Sequence, residues 1–257
     1  MTTQSLKSFK LSRSKVLTNW LTIVAITAWG LLMFKYRLTG ELALLVHPRF
    51  FGIVVGTGLA LLVISGVKTR QLLQRRSFPT APHTTSLPAG FASGLLAATA
   101  LLGLLTAPQV LGSAAATQQG ITEALISTRI QPQAFRGTVN SEERTILQWA
   151  RTLTVYPEPD MYAGQKAKVQ GFVVHSPNLP DHYFAITRFV IAHCALDAYP
   201  VGMIVKLNES RQAYAPDTWL EVRGDLMTET FNGQRELVIQ ARSLTPIPQP
   251  KEPYEYN

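Results

Sequence analysis

Residues 188–205, RFVIAHCALDAYPVGMIV, set the character of the C-terminal half of the chain. Two apolar, β-branched runs flank a polar break, AHCALD, and a Tyr-Pro step. Short runs of this kind, bounded by turn-forming residues, are what strands need. The pattern repeats on either side. KAKVQGFVVH (166–175), YFAITRFVIA (183–192), VGMIVKL (201–207), TWLEVRGDLM (218–227) and ELVIQARSL (236–244) read as five strands. In the fourth, Leu220 and Val222 alternate with Trp219, Glu221 and Arg223, as a half-buried strand requires. PNLPD (177–181), NES (208–210) and FNGQ (231–234) supply turns. Gly171 and Gly224, in mid-strand, allow sharp bends. The expectation is an all-β domain over residues 166–249, a small OB-like five-stranded barrel, with a five-stranded sandwich fragment as the alternative.

Ahead of the strands, NSEERTILQWARTL (140–153) has helical spacing, with Ile146, Leu147, Trp149, Ala150 and Leu153 on one stripe. Asn140 is placed to cap it and Glu143 to reach back. Residues 140–165 are therefore an amphipathic helix and connector packed on the β domain. Residues 112–139, small and polar, read as a linker, and 250–257 as a C-terminal tail.

The remainder is of another kind. VLTNWLTIVAITAWGLLMF (16–34), FFGIVVGTGLALLVISGV (50–67) and AGFASGLLAATALLGLLTAPQVL (89–111) contain no charged residue. Each is near the ~20 residues that cross a hydrocarbon core. Residues 1–111 are thus expected to form a membrane region of three transmembrane helices, with the lipid bilayer as partner. The basic start of the first run resembles a signal peptide, but no small-x-small cleavage site closes it. Residues 1–111 hold eleven Lys and Arg against one acid, Glu41, while 112–257 hold thirteen against fifteen Asp and Glu. Four basic residues precede the first run, four lie in the 68–88 loop and three in the 35–49 loop. The positive-inside rule then places the N-terminus in the cytoplasm and the C-terminal domain outside, in a multi-pass membrane protein. The acidic outer part lacks the basic face that nucleic-acid binding needs.

The chain has one cysteine, Cys194, between His193 and Asp197 at the exit of the second strand. Thiolate, imidazole and carboxylate are the usual donors for zinc, and thiolate also suits copper. His175 and His182 flank the preceding loop, so either could complete a set with His193, Cys194 and Asp197. Against this, adjacent residues on an extended chain point to opposite faces, and a lone cysteine is commonly a small core residue. A thiol enzyme would need Cys194 activated by a histidine. The chain carries no Gly-rich phosphate loop, GxSxG or HExxH motif, which argues against an enzyme. The apolar runs contain no ionisable residue to mark a transport path.

Taken together, YRLTGELALLVHPRFFGIVVGTGLALL, MYAGQKAKVQGFVV, RFVIAHCALDAYPVGMIV, DTWLEVRGDL and the closing PKEPYEY resemble the YcgQ-type family of bacterial membrane proteins, over residues 35–67 and 145–256. That family has no assigned function, an N-terminal membrane region and a C-terminal β domain. The resemblance implies an accessory subunit of a multi-spanning permease, since such proteins are typically encoded beside one. It also implies a link to metal homeostasis. The family commonly has two adjacent cysteines where this chain has His193-Cys194, which retains two ligand types and removes a vicinal disulfide. The leading expectation is a membrane-anchored accessory subunit whose outer β domain binds a metal ion or small ligand. A purely structural assembly subunit and a membrane-bound thiol enzyme are the alternatives.

Overall fold

The computed structural model describes residues 13–74, 90–119, 140–231 and 233–257. Most of the expected linker (120–139), much of the 68–88 loop and the basic N-terminal tail lie outside the described residues. The chain divides into two units, Met1–Leu42 with Pro48–Pro108, and Ala43–His47 with Gln109–Asn257.

The first unit is helical: α1 (Arg13–Thr39), α2 (Phe51–Leu73) and α3 (Phe91–Leu105). Two segments, Val16–Thr39 and Pro48–Leu73, are long and apolar enough to cross a membrane. The third expected span is shorter than its apolar run. At 15 residues it is ~22 Å long, against a hydrocarbon core of ~30 Å. Thr106 is already extended (φ −110°, ψ 149°), and Pro108 disfavours a helical Ala107. Helix α1 is central. Antiparallel to it, α2 approaches through small residues: a Cβ on Gly30 would lie 2.8 Å from Leu62, and one on Gly58 3.2 Å from Met33. Thr27 and Ser65 share a hydrogen bond of 2.5 Å across this pair. Helix α3 runs parallel to α1, tied by Thr22–Ser93 (2.8 Å) near one end and by Tyr36 Oη donating to Gly103 O (3.2 Å) near the other. Lys35 Nζ donates to Gly103 O and Thr106 O, both at 3.2 Å. It thereby covers carbonyls that the end of α3 leaves without helical partners.

In the second unit the strands are β1 (Lys166–Val174), β2 (Tyr183–Ile191), β3 (Tyr199–Lys206), β4 (Trp219–Phe231) and β5 (Gln234–Pro246). β1 pairs antiparallel with both β2 and β4, β2 with β3, and β4 with β5, while β3 and β5 run parallel. These pairings form a closed five-stranded mixed barrel, which excludes the sandwich fragment. Closure depends on Gly171 and Gly224, which act by admitting a neighbour. A Cβ on Gly171 would lie 2.5 Å from the Thr187 carbonyl oxygen, and one on Gly224 would collide with the Gln240 carbonyl. A register shift between Arg223 and Gly224 bends the long β4–β5 ladder.

Inward residues of all five strands, among them Val169, Phe184, Ile186, Val205, Leu220 and Ile239, form one apolar core with Ile146, Leu147, Trp149 and Ala150. The last four lie on helix α5 (Ile146–Val155). Its cap differs from the expectation. Thr145 and Gln148 form the capping box, and Asn140 caps a separate 3-10 turn at Ser141–Glu143. A second apolar cluster lies on the opposite face of β1 and β2: Phe172, Val174, Ala185, Phe189, Ile191, Trp219, Ala116, Ala198 and Tyr254. It is covered by pieces of chain expected to be linker and tail. Ser113–Gln118 forms a short helix, α4, with Ala116 fully buried. Tyr254–Tyr256 forms a sixth strand, β6, parallel to β2.

Candidate functional site

The AHCALD stretch leaves β2 at Ile191 and returns to the barrel at Tyr199. Between them a 3-10 turn covers Ala195–Asp197, with Cys194 extended at its N-cap. Asp197 N–H donates to the Cys194 carbonyl (3.0 Å) while the Asp197 carboxylate takes the Cys194 amide, a reciprocal arrangement that closes the turn. Asp197 does more than cap. Its Oδ1 accepts from Ala192 N–H (3.1 Å), and its Oδ2 from His193 N–H (2.9 Å) and Cys194 N–H (3.3 Å), with His193 Nδ1 at 3.0 Å. Burial pushes the carboxyl up, but the amides of Ala192 and Cys194 and the ring and amide of His193 outweigh it and hold Asp197 below its ordinary value. An aspartate six residues after the end of β2 and three after the extended Cys194, in a turn with free amides, accounts for the spacing of the motif.

The outer edge of this turn carries a strand partner. Ala195 N–H donates to Leu45 O (2.8 Å), and His47 N–H donates to His193 O (3.0 Å). Val46 and Cys194 thus form an antiparallel β-bridge. The connection between α1 and α2 therefore contributes residues 43–47 to the β unit. The His47 ring stands edge-on to Tyr256 at 5.0 Å, and Leu44 packs against the second apolar cluster. Sequence reading missed this partner, because the bridge uses backbone groups and joins residues nearly 150 positions apart. At the tip of the turn Leu196 is 98% exposed.

The five residues expected as metal ligands are not gathered into a ligand set. His193 pairs with Asp197, whose two oxygens already receive four donors. His175 Nε2 lies 2.8 Å from Tyr214 O, and His182 Nδ1 lies 3.0 Å from Glu209 O. Among the described residues, no group of three or more His, Cys, Asp and Glu side chains is arranged to hold a metal ion. The donor set does not fit zinc or copper.

Beside β2 lies a cleft of roughly 200 Å³, lined by charged residues from four elements: the Ser141–Glu143 turn, β1, β2 and β6. Arg188 donates through Nε to Pro253 O (3.2 Å) and through Nη2 to Glu252 O (2.5 Å), and its guanidinium stands over Trp219 at 5.7 Å. Glu255 accepts from Thr145 Oγ1 (2.5 Å). Desolvation raises its carboxyl above the ordinary value, against the pull of Thr145, Arg188, the Leu147 amide and Arg151. In the sequence these residues stood out only as parts of longer stretches, Arg188 at the head of RFVIAHCALD, Trp219 in TWLEVRGDLM and Glu255 in PKEPYEY.

Residues 130–257 match the family model described as the DUF1980 C-terminal domain, so this region is a domain of an uncharacterised family. No curated protein matches the chain.

Proposed function

We propose that this chain, a DUF1980 C-terminal domain carried behind apolar helices, is a membrane-anchored accessory subunit of a multi-spanning permease, with its β unit serving assembly rather than chemistry. One observation carries the reading. Residues 43–47, which lie between two helices long and apolar enough to cross a membrane, are built into the β unit by backbone pairing. The resemblance to the YcgQ-type family supports the permease as partner.

In this reading α3 is a third crossing, because it lies parallel to α1 and spans from near Thr18 to Tyr36. With the basic flanks inside, the exits of α1 and α3 both face out, and so does the barrel. The ring β1-β2-β3-β5-β4, with β3 and β5 parallel, supports reading the barrel as OB-like. In this reading AHCALD is an acid-capped turn that seats residues 45–47 and binds no metal.

Co-expression of the tagged full chain with a permease encoded beside it tests the proposal. After carbonate washing of membranes and mild detergent extraction, the two proteins should co-elute in a fixed ratio. Recovery of the chain in the wash, or its elution alone, would contradict the proposal.

A further inference from the structure

The last strand differs from the other five. β6 pairs with β2 over three residues, Phe189 with Tyr254, Val190 with Glu255 and Ile191 with Tyr256. By contrast, β4 and β5 are each 13 residues long. Between Ile247 and Tyr254 the segment holds Pro248, Pro250 and Pro253. Among the described residues, its backbone–backbone bonds to the barrel stop at Ile247, whose N–H donates to Trp219 O (2.9 Å), and resume only in β6, with the Arg188 side chain alone holding the carbonyls of Glu252 and Pro253 between them. Prolines cannot donate to a ladder and favour an extended tether.

The apolar side chains of β6 face the covering layer, while its polar groups reach the helix α5. The Tyr254 hydroxyl accepts from Leu111 N–H (3.0 Å), and the Tyr256 hydroxyl lies 3.5 Å from Ala43 O. Arg151 donates to the Asn257 side chain (2.7 Å). The apolar core inside the barrel includes no residue beyond Leu244, whereas the outer cluster includes both Tyr254 and Tyr256. Removing β6 would therefore strip the outer layer and leave the interior of the barrel intact. Segments with short ladders and few core contacts open before the rest of a domain does.

We infer that residues 251–257 are a detachable strand. They occupy the groove beside β2 as an internal ligand, latch residues 43–47 and 109–116 onto the barrel, and come away while the barrel stays folded. The groove selects an extended Tyr-x-Tyr segment: the backbone of residues 189–191 supplies the strand edge, and the two tyrosines fill positions two residues apart on one side. A segment of that pattern supplied in trans takes the same place once the resident strand has left.

Two measurements on the full chain in detergent decide this. The first is native-state hydrogen exchange. Amides of residues 255–257, together with those of Leu111 and His47, should exchange as a group and ~100-fold faster than the paired amides of β4 and β5, which open only with the whole domain. Exchange of the tail at the rate of β4 and β5 would overturn the inference. The second uses the chain lacking residues 250–257 and a labelled peptide of that sequence, PKEPYEYN. Saturable binding to the truncated chain, weak binding to the intact one and loss with Tyr254→Ala in the peptide are expected. Absence of binding to a truncated chain that keeps its far-UV spectrum would overturn it, and so would collapse of the barrel on truncation.

Discussion

The interior of the barrel and the layer outside it are both apolar and closely packed, yet they are built from different kinds of chain. Inside, every strand contributes alternate residues, and helix α5, next in sequence, adds Trp149 and its neighbours. Outside, the residues covering β1 and β2 come from positions 44, 110–116, 198, 247 and 254–256, pieces too short to form a core alone. The interior is the part that makes the unit fold. The outer layer ties the segments leading to and from the helices onto that unit.

The largest expected effect falls on the interior. Phe184 is fully buried there, and Phe184→Ala should cost ~3–5 kcal/mol. It should lower the unfolding midpoint of barrel and outer layer together in a denaturant titration. If only the outer layer loosened, the separation of the two cores would be wrong.

Asp197 comes next, at the point where the turn meets residues 45–47. Asp197→Ala leaves four donors without their acceptor and should cost ~1–3 kcal/mol at neutral pH. The folded-state carboxyl lies below its ordinary value, so its contribution is present above the unfolded-state value and fades as pH falls through the lowered one. The difference between wild type and variant, followed by denaturant unfolding against pH, should therefore shrink only in strong acid. A difference that vanished near neutrality would contradict the assignment to the Asp197 carboxylate.

Thr145 sits between the two layers, capping α5 and donating to Glu255. Thr145→Ala should cost ~1 kcal/mol, and the loss should be shared between α5 and the tail in residue-resolved hydrogen exchange. Protection lost in α5 alone would remove the link to Glu255.

Glu255→Gln has the smallest effect and the opposite sign. The Glu255 carboxyl is raised by burial, so its docking is strongest below the unfolded-state value and weakens as pH rises through the raised one. Facing it are Thr145, the Leu147 amide, Arg188 and Arg151, with Glu142, Glu143, Arg144 and Lys168 lining the same cleft. The neutral amide should protect the amides of 255–257 slightly more at pH 7 and flatten their pH dependence. Weaker protection in the variant would show that Arg188 and Arg151 outweigh desolvation.

These contrasts follow what the sequence can carry. Short β-type runs bounded by turn residues marked all five barrel strands, with alternation explicit only in the fourth, because β2 and β3 are buried along nearly their whole length. The pairing of Val46 with Cys194 left no such mark, since backbone hydrogen bonds carry no side-chain pattern. Ser113–Gln118 read as linker because small residues such as Ala116 can be buried without a long apolar run. At the site, the grouping of His193, Cys194 and Asp197 was legible and its chemistry was not. The same carboxylate that would suit a metal also suits a row of backbone amides, and only the fold shows which it meets.

Leu196 gives the most direct access to the central claim, that the barrel belongs to a membrane protein and lies outside the cell. It is 98% exposed at the tip of the turn. In the full chain carrying Cys194→Ser, so that no native thiol remains, Leu196→Cys should react with a membrane-impermeant maleimide in intact spheroplasts as fully as after lysis. Labelling only after lysis would place the barrel in the cytoplasm and contradict the account.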